Sequence, residues 1–178
     1  MQRIIVIGCG GAGKSTFSKK LHVYLKEHEL IHLDSVYWRP NWIRTPEDEW
    51  KEVIKNLVAK EKWIIDGNHD STLDIRLERA DTVIFIDRSR YVCMRNSVKR
   101  TLIGKIFGIE RADMTKGCKE RFDRTFYNFV WTYNKTLRPK YLELFKKIEK
   151  EKQIYILRNN FDANVFLSRV RAKISKIR

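Results

Sequence analysis

Apolar residues fall into five short runs, separated by stretches in which they recur every three or four positions. The runs are Arg3 to Ile7, Leu30 to Leu33, Trp63 to Ile65, Thr82 to Ile86 and Ile154 to Leu157. Most are rich in β-branched residues, the composition of strands in a parallel sheet covered on both faces. Between them, Phe17, Leu21 and Leu25 mark a first helix. Thr45-Pro46-Glu47-Asp48 then announces a second, with Thr45 as cap, Pro46 at the first position and Asp48 favouring the positive terminus. Trp50, Val53, Ile54, Leu57 and Val58 repeat as one buried stripe of that helix.

Tyr91 to Arg100 has a helical pattern. Gly104 to Gly117, with three glycines and many polar residues, reads as a mobile excursion. A strong helix follows, carrying Phe122, Phe126, Phe129, Val130, Tyr133 and Leu137 on one side, and Pro139 is expected to bend or restart it. Phe166 to Ile177 predicts a closing basic helix. Strands alternating with helices predict an α/β fold with a central parallel five-stranded sheet. The whole chain, 1–178, reads as one domain, with 104–138 as a lid-like excursion within it.

Composition narrows the classes. Hydrophobic residues are 43% and charged residues 33% of the chain, an ordinary globular balance. No stretch approaches eighteen uninterrupted apolar residues, which argues against a membrane span. The opening segment resembles a signal sequence only superficially, because it runs into a glycine loop and a basic helix without a small-residue cleavage site. Cytoplasmic residence is therefore expected. The three cysteines and four histidines show no metal-ligand or redox spacing, which fits a reducing compartment.

The formal charge of +15 is unevenly distributed. Residues 1–87 hold 13 Lys/Arg and 14 Asp/Glu, whereas 88–178 hold 24 and 8, interleaved with aromatic residues. Such a surface attracts polyanions, including nucleotides, DNA or RNA.

The strongest motif is Gly8-Cys9-Gly10-Gly11-Ala12-Gly13-Lys14-Ser15, followed by Thr16, a full GxxxxGKS match between a predicted strand and a predicted helix. Glycines let the backbone curl around phosphates, and the first helical turn adds unpaired N–H groups and a positive dipole end. Lys14 is spaced to reach the β and γ phosphates of ATP, and Ser15 Oγ to ligate Mg²⁺. A dinucleotide fingerprint would not require the Lys-Ser pair.

In a parallel sheet, ligands gather beyond the carboxyl ends of the strands. Asp34 follows the second strand, and Asp66-Gly67-Asn68-His69 the third. Asp66 is a candidate for Mg²⁺ or its bound water, and Asp34 for orienting or deprotonating an acceptor hydroxyl. Trp38, Arg39 and Trp42 could form a stacking and anion-binding wall, and Arg76 a phosphate or acceptor contact. In the basic half, Arg95, Arg100, Arg121 and Arg124 are candidates for an arginine-rich lid that closes on the transferring group. Arg158, after the fifth strand, is placed to stack beside the ATP base.

These segments resemble the adenylate-kinase-like P-loop kinases, and among them the bacterial DNA topology modulation (FlaR-like) proteins. The likeness rests on Gly8 to Thr16, His32-Leu-Asp-Ser-Val-Tyr-Trp38-Arg-Pro40, Trp63-Ile-Ile-Asp-Gly-Asn68 and Leu77 to Asp87. Arg111-Ala-Asp-Met-Thr-Lys-Gly-Cys118 and Phe129-Val-Trp131 extend it over nearly the whole chain. The resemblance implies a three-layer α/β/α P-loop NTPase fold with a helical lid and ATP as phosphate donor. It implies Lys14 and Ser15 at phosphates and Mg²⁺, Asp34 at acceptor or metal, Arg76 on the acceptor side and the basic residues from Arg95 to Arg124 in the lid. The turn after Asp66-Gly67 departs from nucleotide kinases, which have an aromatic-proline-arginine sequence where this chain has Asn68-His69.

The sequence thus points to an ATP-dependent phosphotransferase acting on a nucleoside, nucleotide or other small acceptor. The alternative is an ATPase or ATP-binding regulator associated nonspecifically with nucleic acid. No helix-turn-helix, RRM or zinc-finger signature accompanies the basic half. If the chain binds duplex DNA, the affinity should collapse with salt. Six phosphate contacts would give a loss of roughly a thousandfold between about 50 and 200 mM, with little sequence preference. Binding isotherms on unrelated duplexes across a salt series check this, and strong discrimination at physiological salt would contradict it.

Overall fold

In the computed structural model, which describes residues 1–109 and 111–176, five strands form one parallel sheet. They are β1 (Arg3–Gly8), β2 (Glu29–His32), β3 (Trp63–Asp66), β4 (Thr82–Ile86) and β5 (Gln153–Leu157), in spatial order β2-β3-β1-β4-β5. The central three are buried almost throughout, as their unbroken apolar runs require. Ile4, Ile5 and Val6 of β1 stand opposite Ile64, Ile65 and Asp66 on one side and Thr82, Val83 and Ile84 on the other. The edge strands β2 and β5 are only partly covered.

Seven helices flank the sheet: α1 (Lys14–Tyr24), α2 (Leu33–Tyr37), α3 (Glu47–Val58), α4 (Leu73–Arg79), α5 (Arg90–Phe107), α6 (Arg124–Ile148) and α7 (Asn160–Ser175). The result is a three-layer α/β/α fold, in which α1 packs with α7, α3 with α4, and α5 with α6. The expected stripe of α3 buries Trp50, Ile54 and Val58. Among the described residues, no helix is long and apolar enough to cross a membrane.

Several boundaries differ from the sequence expectation. Pro139 does not restart α6, which continues as one helix from Arg124 to Ile148 with the proline inside it. Packing of Val130, Tyr133, Tyr141 and Phe145 on both sides of the proline outweighs the hydrogen bond it removes. Helix α5 runs through Gly104 and stops at Gly108, whose left-handed φ of 62° ends it as a C-cap. Asp123, not an aromatic position, caps α6 by accepting from Phe126 N at 3.1 Å. The expected closing helix begins earlier, at Asn160, and its last expected residue, Ile177, lies outside the described residues, as does Glu110 of the excursion.

This topology creates the site. Strands are added to one side of β1 and then the other, so a crevice opens where the connections diverge beyond its carboxyl end. The glycine loop leaves β1 at that point. Asp66 ends β3 opposite Val6, two positions before the loop begins at Gly8, and Asp34 lies in the first turn of α2, just beyond β2.

Candidate active site

Three glycines let the phosphate loop lie where it does. A Cβ at Gly8 would stand 2.5 Å from Ile86 O, one at Gly10 2.9 Å from the Phe126 ring, and one at Gly11 2.3 Å from Cys93 O. Gly13 is different: its φ of +94° favours glycine, while the space where a Cβ would point is open. That open space lies at the N-terminus of α1, where the first-turn amides have no intrahelical partner. Lys14 Nζ curls over the loop onto Gly8 O at 2.9 Å and Cys9 O at 3.1 Å. A cradle of this shape fits the phosphates of a nucleotide. Asn96 of α5 reaches Gly11 O at 3.0 Å and pins the loop from above.

The loop is tied to the turn after β3. Asn68 Oδ1 accepts from Gly8 N at 3.1 Å, and Gly67 N donates to Val6 O at 3.1 Å. Gly67 has φ +133°, and a Cβ there would lie 2.7 Å from that of Leu33. Asp66 is buried, with Oδ2 2.9 Å from His32 Nδ1. Asp34 faces the same cleft, where its Oδ1 meets His69 Nε2 at 3.1 Å. Burial pushes the Asp34 carboxyl up, but the hydrogen bond and charge of His69, with Lys14 and Arg111 beyond, hold it below the usual carboxylate range. His69 itself has φ 41° and packs on the rings of Tyr37 and Trp50.

Phosphate loop, Asp34 and Asp66-Gly67-Asn68 all line one cleft of about 900 Å³. Trp38 and Trp42 also line it, their rings edge to face at 5.4 Å. The segment from Trp38 to Arg44 is a small hairpin, and the chain between α5 and α6 is clasped to it. Asn41 N donates to Gly117 O at 3.3 Å, and Trp42 Nε1 to Lys119 O at 2.9 Å. Thr115 Oγ1 reaches Ser35 O at 3.0 Å and also Trp38 O. Together these segments roof the cleft.

Not every expected arginine sits here. Arg100 and Arg121 line the cleft, whereas Arg95 and Arg124 are exposed and lie outside its lining. Arg39 is also outside, pairing with Glu49 at 2.5 Å, and Arg158 is exposed, with its backbone bonded to Asp162 and Arg88. Arg138 forms a two-pronged pair with Asp87 at 2.7 and 2.8 Å.

Arg76 requires a correction. It is fully buried, and its guanidinium donates to Gly67 O at 3.0 Å, His69 O at 2.9 Å, Thr72 O at 3.3 Å and Asn68 O. Its donors are taken by the turn, so it shapes the site from behind and does not face the acceptor. Burial lowers its pKa to about 10, still charged at neutral pH.

Four site residues escaped sequence reasoning. No role falls to His69 from its sequence alone, where it is one residue of the turn after Asp66. Arg111 and Asp113 share a two-pronged bond at 3.1 and 2.7 Å, and Glu120 stands 3.2 Å from Arg100 Nε. The only available signal was the density of opposite charges between glycines, in a segment without periodicity. The Arg111 guanidinium, with a smaller contribution from the Ser15 hydroxyl, outweighs burial and holds the Asp113 carboxyl below the usual carboxylate range. Among the described residues, no group of three or more His, Cys, Asp or Glu is arranged to hold a metal ion.

No family model and no curated protein matches this sequence. Solved structures do match over nearly the whole chain. A gluconokinase from Sinorhizobium meliloti 1021 aligns with TM-score 0.51 and 14% identity, over 99% of this chain and 93% of its own. A shikimate kinase from Acinetobacter baumannii, in complex with shikimate, aligns with TM-score 0.56 and 15% identity, over 100% and 95%. The chain therefore shares its fold with this gluconokinase and this shikimate kinase.

The buried Arg76 gives a test of how this site is held. Arg76→Met should leave the 67–69 carbonyls unpaired, lowering stability by about 3–5 kcal/mol as for other broken buried charge networks. Denaturant unfolding measures it. A loss below 1 kcal/mol (roughly the effect of an ordinary surface substitution) would show that the turn does not depend on the guanidinium.

Proposed function

We propose that the chain is an ATP-dependent phosphotransferase that moves the γ-phosphoryl group of ATP·Mg to a hydroxyl of a small acceptor. The observation that carries this reading is the sharing of one roofed cleft by the Lys14–Ser15 loop and an ionised Asp34. Hydrolysis needs only the loop and water. A second compartment with its own carboxylate and a clasped roof supports capture by an acceptor instead.

In this reading the amides from Gly8 to Thr16 and the Lys14 ammonium bind the phosphates, and Ser15 Oγ would hold a Mg²⁺ that would neutralise charge on the transferring group. Asp66, bonded to His32, would hold that ion or its water. Asp34 accepts the hydrogen bond of the acceptor hydroxyl and points its oxygen at the phosphorus. As the new O–P bond forms and the bond to the ADP oxygen breaks, the hydroxyl proton passes to Asp34. Because its pKa is depressed, Asp34 orients the hydroxyl early and takes the proton late. Trp38, Gly67 and Asn68 shape the acceptor compartment. Segment 104–138 acts as the lid, with Arg100 and Arg121 as its cations at the cleft. The motifs His32 to Pro40 and Trp63 to Asn68 support placement among the FlaR-like kinases.

Two variants separate the parts of this mechanism. Lys14→Ala should abolish measurable ATP·Mg binding in calorimetry. Asp34→Asn should retain ATP binding but lose about 10²- to 10⁴-fold in acceptor-dependent ADP production, the range for a lost acid–base group. Background hydrolysis is recorded in parallel. If Asp34→Asn leaves transfer unchanged, Asp34 is not the acceptor-side residue. If no acceptor in a broad screen raises wild-type ADP production, an ATPase or regulator takes precedence.

A further inference from the structure

Arginines at a kinase cleft suggest an acceptor with a phosphate or carboxylate of its own. Here the charges around them say otherwise. Among the described residues, five Lys/Arg and six Asp/Glu line the cleft, in a chain whose formal charge is +15. The basic excess lies outside, and the cleft is slightly acidic.

Each arginine inside already has a carboxylate. Arg111 holds Asp113 with two bonds at 3.1 and 2.7 Å, and lies 3.9 Å from Glu120 and 4.0 Å from Asp34. Arg100 stands 3.2 Å from Glu120, with its guanidinium over the Phe126 ring at 5.4 Å. Arg121 is 3.6 Å from Asp123 and covers Trp42 at 5.4 Å. Lys14 belongs to the phosphate loop, and Lys99 is exposed at the rim. The inner pairs are not loose surface contacts: the side chains of Arg111, Asp113 and Glu120 are 17%, 14% and 6% exposed. An anionic acceptor that took one of the inner arginines would leave a largely buried carboxylate uncompensated.

Hydroxyl groups meet no such obstacle. Ionised carboxylates accept hydrogen bonds and donate none, so Asp34 and its neighbours suit an O–H donor and repel an anion. The opposite wall is aromatic. Trp42 has φ 63°, a left-handed conformation unusual for a bulky residue, and its indole is fixed at the cleft by the bond to Lys119 O. Trp38 and Trp42 present a surface on which the apolar face of a ring can lie.

We infer that the acceptor is an uncharged ring compound bearing hydroxyls, a nucleoside or a sugar, without a phosphate or carboxylate of its own. This inference rests on the kinase reading above, and its test separates the two. Matched pairs are used: uridine against uridine monophosphate, adenosine against adenosine monophosphate, and glucose against gluconate. Each compound is titrated by tryptophan fluorescence and assayed for stimulated ADP production. At least one neutral member should bind, with kcat/KM exceeding that of its anionic partner by about tenfold or more; which pair responds tells nucleoside from sugar. In Glu120→Gln, or Asp113→Asn if that variant does not fold, a freed arginine should narrow or reverse the preference. A wild-type preference for the anionic members overturns the inference. So does an unchanged preference in a folded variant, or binding of neither class by protein that binds ATP·Mg. Binding of a neutral member without ADP production would instead uphold the acceptor class and sink the kinase reading.

Discussion

A guanidinium sealed from water sets the geometry on which the rest of this site depends. Arg76 reaches back from α4 to the carbonyls of Gly67, Asn68 and His69, which a tight turn brings to one point. Carbonyl dipoles, with Asp70 and Asp74 nearby, replace part of the hydration the cation has lost. The turn so held then faces both ways. Asn68 fixes the first amide of the phosphate loop, and His69 fixes Asp34. A single buried charge thereby relates the phosphate loop to Asp34, and His69 keeps a positive φ that an unconstrained histidine would rarely adopt.

How much of this was legible in the sequence follows from where the deciding interactions lie. The sheet was legible because burial on both faces leaves an unbroken apolar run in each central strand, as in Ile4 to Ile7 and Thr82 to Ile86. The phosphate loop was legible because its glycines, lysine and serine are contiguous. Arg76 was not, because its partners lie seven to nine positions upstream in a turn whose shape only the fold defines. A basic residue on a short helix ordinarily reaches outward, and local pattern gives no warning of the opposite. Arg111 and Asp113 escaped for a related reason: without strand or helix periodicity, nothing in the sequence says which way they face. Gly104 is likewise explained only by the fold, because Glu120 packs where its side chain would be, while α5 runs on to its cap at Gly108.

The distribution of charge separates two properties that the net value confounds. A basic exterior draws anions of every kind toward the molecule, nucleotides included, over distances of about a Debye length. Inside the cleft, the paired arginines remove that attraction, except at the loop where Lys14 and the helix terminus remain for phosphates. Long-range attraction and local selection are thus carried by different residues. The same chain can concentrate polyphosphates at its surface and still present a compartment suited to uncharged hydroxyls.

The floor and roof of the cleft differ in what opening them would cost. Floor contacts join buried groups: Arg76 to its carbonyls, Asp66 to His32, and Gly67 N to Val6 O in the edge of the sheet. Separating any of them would leave a polar atom unpaired away from water, which is the expensive case. Roof contacts instead run from Trp42, Thr115 and Asn41 to backbone carbonyls at the protein surface, where water can replace either partner. Those outer bonds exchange with solvent at little net cost, whereas the enclosed pairs of Arg111 with Asp113 and Asp34 in the same segment do not. In the proposed reaction, acceptor entry and product release belong to the hairpin from Trp38 to Arg44. The relation between Lys14 and Asp34, which must stay within bonding tolerance for transfer, is kept by the part that does not open.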